Sequence, residues 1–435
     1  MARSIIMKPV LQLALDFVDT KRAVKAAVAA DAGGVDWIEA GTPLIKSEGL
    51  QVVRKLRELF PAKTIVADMK IMDAGRIEVE SATKAGADIV DVLGAASDAT
   101  IRECIQAARN YGSQIAVDLI SVEDVVSRAQ AIEKMGADYI TVHCSIDEQM
   151  EGKSPFEKLR KVCDAVSLPV AVAGGINSET AHKAVEAGAA IIIVGGAITK
   201  APDPEKASAD IKKAIDRKIS IPSMFFKRGG EKDIKDILDK VSAANLSDAL
   251  HRGGVLEGIR PLFSGIRMVG KALTVRTYPG DWSKPVQAID AAEQGDIIVI
   301  DAGGAGPAIW GELATHSARQ REIAGVVIDG AIRDTHDIKN MRFPAFTRLI
   351  APNAGEPRGF GEIGVPVTIG GRSVESGDWL VGDDDGVVAL PGSIAAEYAN
   401  RAMDVLEREN RIRQEIKEGS TLSKVTELLR WEKKS

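Results

Sequence analysis

Thr64-Ile65-Val66-Ala67-Asp68-Met69-Lys70-Ile71-Met72-Asp73 opens as an apolar, β-branched run and closes on charge. The apolar half has the composition of a buried strand, and the charged residues follow where that strand ends. Strand alternation points Asp68 and Lys70 the same way, with Asp73 in the loop beyond. Two carboxylates and an ammonium then converge on one small volume. Such a set is costly to bury unless its charges pair or hold a metal, so a strand end that carries it reads as a site. A solvated strand-to-helix turn is the plainer reading of the same spacing.

Outward from this stretch, similar short runs recur at residues 10–16, 35–39, 64–68, 88–93, 114–120, 138–144, 169–173 and 190–194, each followed by helical periodicity. They are nearly continuous in Val, Ile, Leu and Ala, as expected for parallel strands covered on both faces. Eight strand-plus-helix units close naturally into a (β/α)8 barrel. An internal repeat supports the count. Ala32-Gly33-Gly34-Val35-Asp36, Ala85-Gly86-Ala87-Asp88, Met135-Gly136-Ala137-Asp138 and Ala187-Gly188-Ala189-Ala190 end alternate helices, their last residues 50 to 52 apart. Glycine there suits a left-handed helix C-cap.

Chemistry in a barrel belongs at the C-terminal strand ends. Those ends carry Asp16, Glu39, Asp68 with Lys70 and Asp73, Asp91, Asp118, His143, Gly174-Gly175 and Gly195-Gly196. An acidic floor with one lysine and one histidine suggests a divalent cation with oxygen ligands, magnesium by default beside a phosphorylated substrate. The two glycine pairs end strands seven and eight and are expected to offer backbone N–H groups to a phosphate at helix starts. His143 ends strand six on the same rim as Asp68, where an imidazole can move a proton near neutrality; a purely structural donor is the competing reading. His182 and His251 have no such placement.

At 435 residues the chain exceeds what one core fills, so two domains of about 200 residues are expected. Hydrophobic residues at 45% supply packed cores, and a net charge of −6 argues against a nucleic-acid surface. Cys104, Cys144 and Cys163 lack metal-ligand spacing and read as reduced, buried thiols of a cytoplasmic protein. The longest apolar run, 187–198, is too short to span a bilayer, and the first residues lack a signal-peptide core, so neither membrane nor export is expected.

Residues 1–217 form the first domain on this reading, 218–232 a linker, and 233–435 a second, mixed α/β domain. The linker contains Pro222 and Gly229-Gly230, and its Met224, Phe225 and Phe226 are expected to dock. Beyond it, Ile234, Ile237, Leu238 and Val241 form a helical stripe, and β-type runs at 271–276, 296–300, 325–329, 366–369, 379–382 and 387–390 alternate with short helices. Gly303-Gly304-Ala305-Gly306 leads to Gly311-Glu312-Leu313-Ala314, a helix start suited to a carboxylate. Asp329-Gly330-Ala331-Ile332-Arg333-Asp334-Thr335-His336-Asp337 leaves a strand and sets an arginine, a bidentate partner for carboxylates, beside two acids, and an acid can bind a divalent cation on the other side. Asp383-Asp384-Asp385-Gly386 reads as a hairpin turn. The helix after Ser393 carries Ala396, Ala399, Met403 and Leu406 on one stripe and reads as packing or assembly.

Several separated motifs of the first half carry a resemblance together. They are Leu11-Gln12-Leu13-Ala14-Leu15-Asp16, Glu39-Ala40-Gly41-Thr42-Pro43-Leu44-Ile45, the Asp68/Lys70/Asp73 set, Val142-His143 with Asp147 and Gln149, and Gly195-Gly196-Ala197-Ile198-Thr199. Residues 1–217 resemble the 3-hexulose-6-phosphate synthases of the orotidine-monophosphate decarboxylase superfamily. The related 3-keto-L-gulonate-6-phosphate decarboxylases are the alternative; they typically carry an arginine where this chain has Gly196. Orotidine-monophosphate decarboxylase itself needs no metal and would leave Glu39 without a purpose. The resemblance implies that Glu39 and Asp68 bind magnesium, which holds the carbonyl and hydroxyl oxygens of ribulose 5-phosphate. It makes His143 the base that takes a proton from C1, with Lys70 offsetting the enediolate charge and Asp73 orienting it for attack on formaldehyde. Asp16 joins this catalytic set, and Gly174, Gly175, Gly195 and Gly196 hold the phosphate.

Residues 233–435 resemble the family of the ribonuclease E activity regulators and class II pyruvate aldolases, a swivelling α/β/β fold. Its marks are Gly311–Ala314, Arg333-Asp334, and Gly377-Asp378-Trp379 through Gly386-Val387-Val388. The resemblance implies that Arg333 and the Gly311–Ala314 amides hold a pyruvyl carboxylate and that Asp334 holds magnesium through water. Asp337 favours the aldolases, which carry an acid three residues after the aspartate. A non-catalytic regulator or assembly module is the alternative. The two resemblances imply barrel dimers and trimeric rings, and hence a homo-oligomer.

Overall fold

The computed structural model describes residues 8–223 and 228–426. The chain divides into two compact units, residues 1–149 with 153–228, and residues 150–152 with 229–435. In the first, β1 (Val10–Leu15), β2 (Trp37–Ala40), β3 (Thr64–Ile71), β4 (Ile89–Leu93), β5 (Gln114–Asp118), β6 (Tyr139–His143), β7 (Val170–Ala173) and β8 (Ile191–Val194) pair in order as a closed parallel barrel. All eight expected strands are present.

Alternation along each strand sends one set of side chains toward the helices and the other into the barrel. Leu11, Leu13, Leu15, Ile38, Ile65, Val90 and Ile115 join the large core beneath the helices. Inside the barrel, the lower halves of the strands contribute Trp37, Val66, Ile89, Ala116, Tyr139 and Ile191. Trp37 and Tyr139 meet edge to face at 5.7 Å. Two residues further along the same strands stand the polar groups Glu39, Asp68, Asp91, Asp118 and Thr141, all buried.

The repeat does more than cap helices. Gly34, Gly86, Gly136 and Gly188 all adopt left-handed backbone, as expected. The aspartate two residues after the first three of these turns back to the preceding odd-numbered strand. Asp36 accepts the Leu11 N–H at 2.8 Å, Asp88 that of Ile65 at 2.7 Å, and Asp138 that of Ile115 at 2.8 Å. The backbone answers in the other direction, with Asp36, Asp88 and Asp138 N–H donating to the carbonyls of the same three partners. Where the fourth repeat has Ala190 in place of the acid, only the backbone half survives, Ala190 N–H to the Val170 carbonyl.

The second unit contains β9 (Arg260–Pro261), β10 (Met268–Arg276), β11 (Ile297–Asp301), β12 (Gly325–Ile332), β13 (Ala345–Ile350), β14 (Glu362–Ile363), β15 (Val367–Ile369), β16 (Arg372–Val374), β17 (Trp379–Asp383) and β18 (Gly386–Leu390). One mixed sheet runs in the order β18-β17-β10-β11-β12-β13-β9, with β14 beside β10, and β15-β16 form a separate hairpin. The expected α/β class holds, but the sequence reading had no β13. Pro344 precedes that run, and Arg348 interrupts its apolar pattern. Its first half is buried beside β12, and its second half emerges into solvent. Asp384 and Asp385 form the two-residue turn between β17 and β18, and their neighbour Asp383 accepts the Asp385 N–H, so this acidic run is structural.

The helical stripe of Ile234, Ile237, Leu238 and Val241 is buried. In the long helix Ala395–Lys417 the buried stripe is Ala395, Ala399, Ala402 and Met403, with Ala396 and Leu406 only half-buried. The expected docking of Met224, Phe225 and Phe226 lies outside the described residues. Among the described residues, no helix is long and apolar enough to cross a membrane.

Candidate active sites

The organising stretch behaves differently from a plain strand end. Pairing between β3 and β4 shifts register between Ala67 and Ile71, and Lys70 takes left-handed backbone at φ 44°. A β-bulge re-aims a side chain in this way, at the cost of local strain. The Lys70 ammonium consequently lies 3.1 Å from Asp68 Oδ1 and 3.0 Å from Asp118 Oδ2. Asp118 Oδ2 also meets His143 Nδ1 at 2.8 Å, while its Oδ1 accepts the Ile120 N–H. One carboxylate, 2% exposed, thus orders both the lysine and the histidine.

Asp68 is fixed from the other side. Thr42, buried at the start of the helix Thr42–Glu48, donates its hydroxyl to Asp68 Oδ2 at 2.7 Å, and the Thr42 N–H reaches the same oxygen at 3.3 Å. Gln12, also buried, donates its amide to Glu39 Oε2 at 2.6 Å. Asp16 stands exposed at the mouth between two glycines. A Cβ on Gly41 would meet its Oδ1, and one on Gly195 would come within 3.3 Å of its Oδ2.

Electrostatics separate these acids. Burial, then the charges of Asp68 and Asp91, lift the Glu39 carboxyl well above the usual range. Burial, then Asp68, does the same for Asp91; at the solvent-reached but protein-crowded mouth, partial desolvation and then the Asp68 charge raise Asp16 more mildly. Burial alone would also raise Asp118, but the hydrogen bond and charge of His143, joined by Lys70, hold it below the usual carboxylate range. Burial opposes the charge on Lys70, yet Asp68, Asp118 and Asp91 outweigh it, so the ammonium is held more firmly than an ordinary lysine.

Two expectations are corrected. Asp73 does not join the cluster. It lies exposed in the loop, and its Oδ1 accepts the N–H of the next residue, Ala74, at 2.7 Å. The bulge that turns Lys70 inward has already carried the chain outward three residues later, at Asp73. Gly174-Gly175 also do not begin a helix. Both are left-handed, and a turn built on buried Asn177, which accepts the Glu179 N–H, separates them from the helix Ala181–Glu186. Gly195-Gly196 do stand at a helix start, since Gly195 caps the short helix Gly196–Thr199.

Among the described residues, no three His, Cys, Asp or Glu side chains gather as a ready-made metal cage. Magnesium typically takes one or two protein carboxylates and completes its octahedron with water and substrate oxygens. Glu39 and Asp68, oxygen donors in a cluster with more carboxylates than cations, fit that open mode. Two buried thiols and one half-buried one stand outside this chemistry; burial pushes Cys104 up to about 12 and Cys144 and Cys163 to about 11.

In the second unit, Gly311 caps the helix Glu312–Gln320 without a side chain of its own. Asp334, left-handed at φ 54°, supplies that cap from the end of β12. Its Oδ2 accepts the Glu312 N–H at 3.1 Å and lies 3.4 Å from Arg333 Nε. Of the Gly311–Ala314 set, the Glu312 amide is therefore engaged internally, whereas Leu313 is 78% exposed. His316 pairs with Glu312 at 3.3 Å, and His336 meets Asn340 at 3.1 Å. Behind them, buried Asp329 is gripped by the Arg348 guanidinium and by the Gly370 N–H at 3.0 Å, and its backbone carbonyl receives the Gly304 N–H.

Residues 9–211 match the family model described as orotidine 5'-phosphate decarboxylase / HUMPS. They are 41% identical to the 3-hexulose-6-phosphate synthase of Bacillus subtilis (strain 168) over 206 residues, which is 98% of that protein and 47% of this chain. The chain belongs to this family. The HUMPS-family barrel is also similar to a solved 3-keto-L-gulonate-6-phosphate decarboxylase from Vibrio cholerae, at 30% identity and a TM-score of 0.44. That likeness covers 49% of this chain and 100% of the other. Following the HUMPS-family barrel, residues 243–389 match the RraA-like model, described as Aldolase/RraA. A solved RNA-processing inhibitor RraA from Thermus thermophilis is 27% identical over 35% of this chain and 93% of its own, with a TM-score of 0.33.

The sequence reading placed Asp118 on the rim without giving it a role, and gave Thr42 and Gln12 none. Gln12 did carry a signal, a lone amide inside an apolar strand.

Proposed function

We propose that the barrel is a 3-hexulose-6-phosphate synthase, joining formaldehyde to ribulose 5-phosphate reversibly, with magnesium as cofactor. The observation that carries this reading is the single Asp118 carboxylate shared by Lys70 and His143 beside Glu39 and Asp68. With Nδ1 committed to Asp118, His143 offers Nε2 to take the proton from C1 as the C1–H bond breaks. Lys70, kept charged by its acids, faces the negative charge that develops on the substrate oxygens. The C1 carbanion equivalent attacks the formaldehyde carbon, a carbon–carbon bond forms, and the new alkoxide oxygen takes up a proton. Held by Glu39 and Asp68, a divalent cation would act as a Lewis acid toward the substrate's carbonyl and hydroxyl oxygens. Asp16 at the mouth, with the Gly174-Gly175 and Gly195-Gly196 backbone, lines the approach of the sugar phosphate, while Asp73 lies in the loop outside the cluster. The test is formaldehyde uptake dependent on ribulose 5-phosphate and magnesium. Uptake should vanish in Asp68→Ala, and uptake that survives sinks the metal assignment.

For the residues after the linker at 218–232, we propose a divalent-metal pyruvyl aldolase or oxaloacetate decarboxylase, with Arg333 and the Leu313 and Ala314 amides receiving the carboxylate and Asp334 the cation through water. The engaged Glu312 amide and the exposure of Arg333 favour a second reading, a binding or assembly module. Magnesium-dependent decarboxylation of oxaloacetate, lost in Arg333→Ala, supports the enzyme. Its absence from protein that still fixes formaldehyde supports the module.

A further inference from the structure

Below the acid cluster, on the barrel axis, lies a cavity of about 10 Å³, lined on its polar side by Gln12, Asp91 and Thr141 and floored by Trp37 and Tyr139. That volume admits about one water-sized sphere. Asp91 is 5% exposed, and its Oδ1 has no hydrogen-bond partner among the described residues. A buried carboxylate oxygen in that state calls for a donor. The groups that could share one are already assembled: Asp91 as acceptor, the Thr141 hydroxyl as either, and the Gln12 amide, whose nitrogen holds Glu39 at 2.6 Å.

We propose that Asp91, Thr141 and Gln12 hold one ordered water in this cavity, and that Asp91 acts through it and Gln12 as a positioning residue for Glu39. The inference builds on the reading of Glu39 as a cation ligand, while the water itself does not depend on that reading. Gln12 can turn its amide either way about its last torsion. Only one orientation donates to Glu39, and a water anchored on Asp91 selects it by engaging the amide oxygen. Asp91 thereby shapes the cation site without belonging to it, in keeping with the lack of a three-residue cage among the described residues.

The experiment uses the full chain, with Mn2+ as the probe, its binding followed by electron paramagnetic resonance, and crystals of wild type at a resolution that shows waters. An ordered water touching Asp91 is expected. Asp91→Val should weaken Mn2+ binding about tenfold or more, while Asp91→Asn, which keeps an oxygen in place, should stay within about threefold of wild type. A dry cavity in wild type overturns the proposal whatever the variants do. So does Mn2+ affinity unchanged in a cooperatively unfolding Asp91→Val, or Asp91→Asn as weak as Asp91→Val, which would assign the effect to charge. Wild type that binds no Mn2+ overturns the ligand reading and with it the positioning role. Loss of formaldehyde fixation with Mn2+ binding intact is a separate failure, of the synthase reading alone.

Discussion

Asp118 in the barrel and Asp329 in the second unit are the same residue type in a buried parallel strand, Asp118 ending β5 and Asp329 lying within β12, and both are held as firm carboxylates by a cation. Asp118 divides one oxygen between Lys70 and His143, two groups that open toward the mouth of the barrel. Asp329 gives both oxygens to Arg348 and shares one of them with the Gly370 amide. The first arrangement leaves its partners with unused hydrogen-bonding capacity for a substrate. The second is saturated and braces a glycine loop against a hairpin. Burial and a lowered carboxyl pKa are common to both, so neither feature alone marks a catalytic group; the unused capacity of the partners does.

The largest effect expected from breaking this comparison is at Asp118. Asp118→Ala leaves Lys70 without one of its two acids and His143 without an anchor, and formaldehyde fixation should fall about 10²–10⁴-fold. The same change should cost about 3–5 kcal/mol in urea unfolding, because a charge partner is removed from a buried site. Activity within a factor of a few of wild type would reduce Asp118 to a brace like Asp329.

Arg348→Met should lower stability by about 2 kcal/mol at neutral pH, the scale of a charged hydrogen bond left unmade. Because the Asp329 carboxyl is held below its ordinary value, mainly through the Arg348 hydrogen bond working against burial, its contribution is present above the unfolded value near about 4 and is lost as pH falls through the lower folded value. The gap between wild type and variant should therefore close in acid. A gap that stays constant down to about pH 2 would show that the pair does not titrate as a unit.

Asp138→Ala removes one side-chain bond to a strand N–H and should cost about 1 kcal/mol in thermal unfolding, with little change in formaldehyde fixation; Asp88→Ala, which also loses its Arg57 partner, should cost somewhat more. The smallest stability effect is expected at Arg333, whose side chain is 41% exposed. Arg333→Ala should move stability by less than about 0.5 kcal/mol, so any loss of oxaloacetate decarboxylation would reflect the site and not the fold.

The outcome at β3 shows where reading a sequence stops. Alternation alone brings Asp68 and Lys70 to one side, and they do pair, but through a bulge and a left-handed lysine that no spacing announces. The same bulge carries Asp73 away from the volume it was expected to share. The strand β13 was missed for a related reason: its pattern changes halfway, from buried to exposed, and a period needs a uniform environment to be visible.

Some features are local, and for those the sequence by itself was sufficient. The eight strands follow from continuous apolar runs, and the helix ends from glycines that alone tolerate left-handed backbone cheaply. The hairpin at Asp384-Asp385 is set by its turn residues, and the polar strand ends are readable because a barrel confines chemistry to one rim. What only the tertiary structure decided is which of the rim acids shares a proton partner with which cation. Asp118 and Lys70 are 48 residues apart, Asp118 and His143 25, and Gln12 and Glu39 27. Those contacts exist because closure of the barrel sets distant strands side by side. Burial then turns modest charges into strong mutual constraints, and neither closure nor burial is a property of any short stretch of chain.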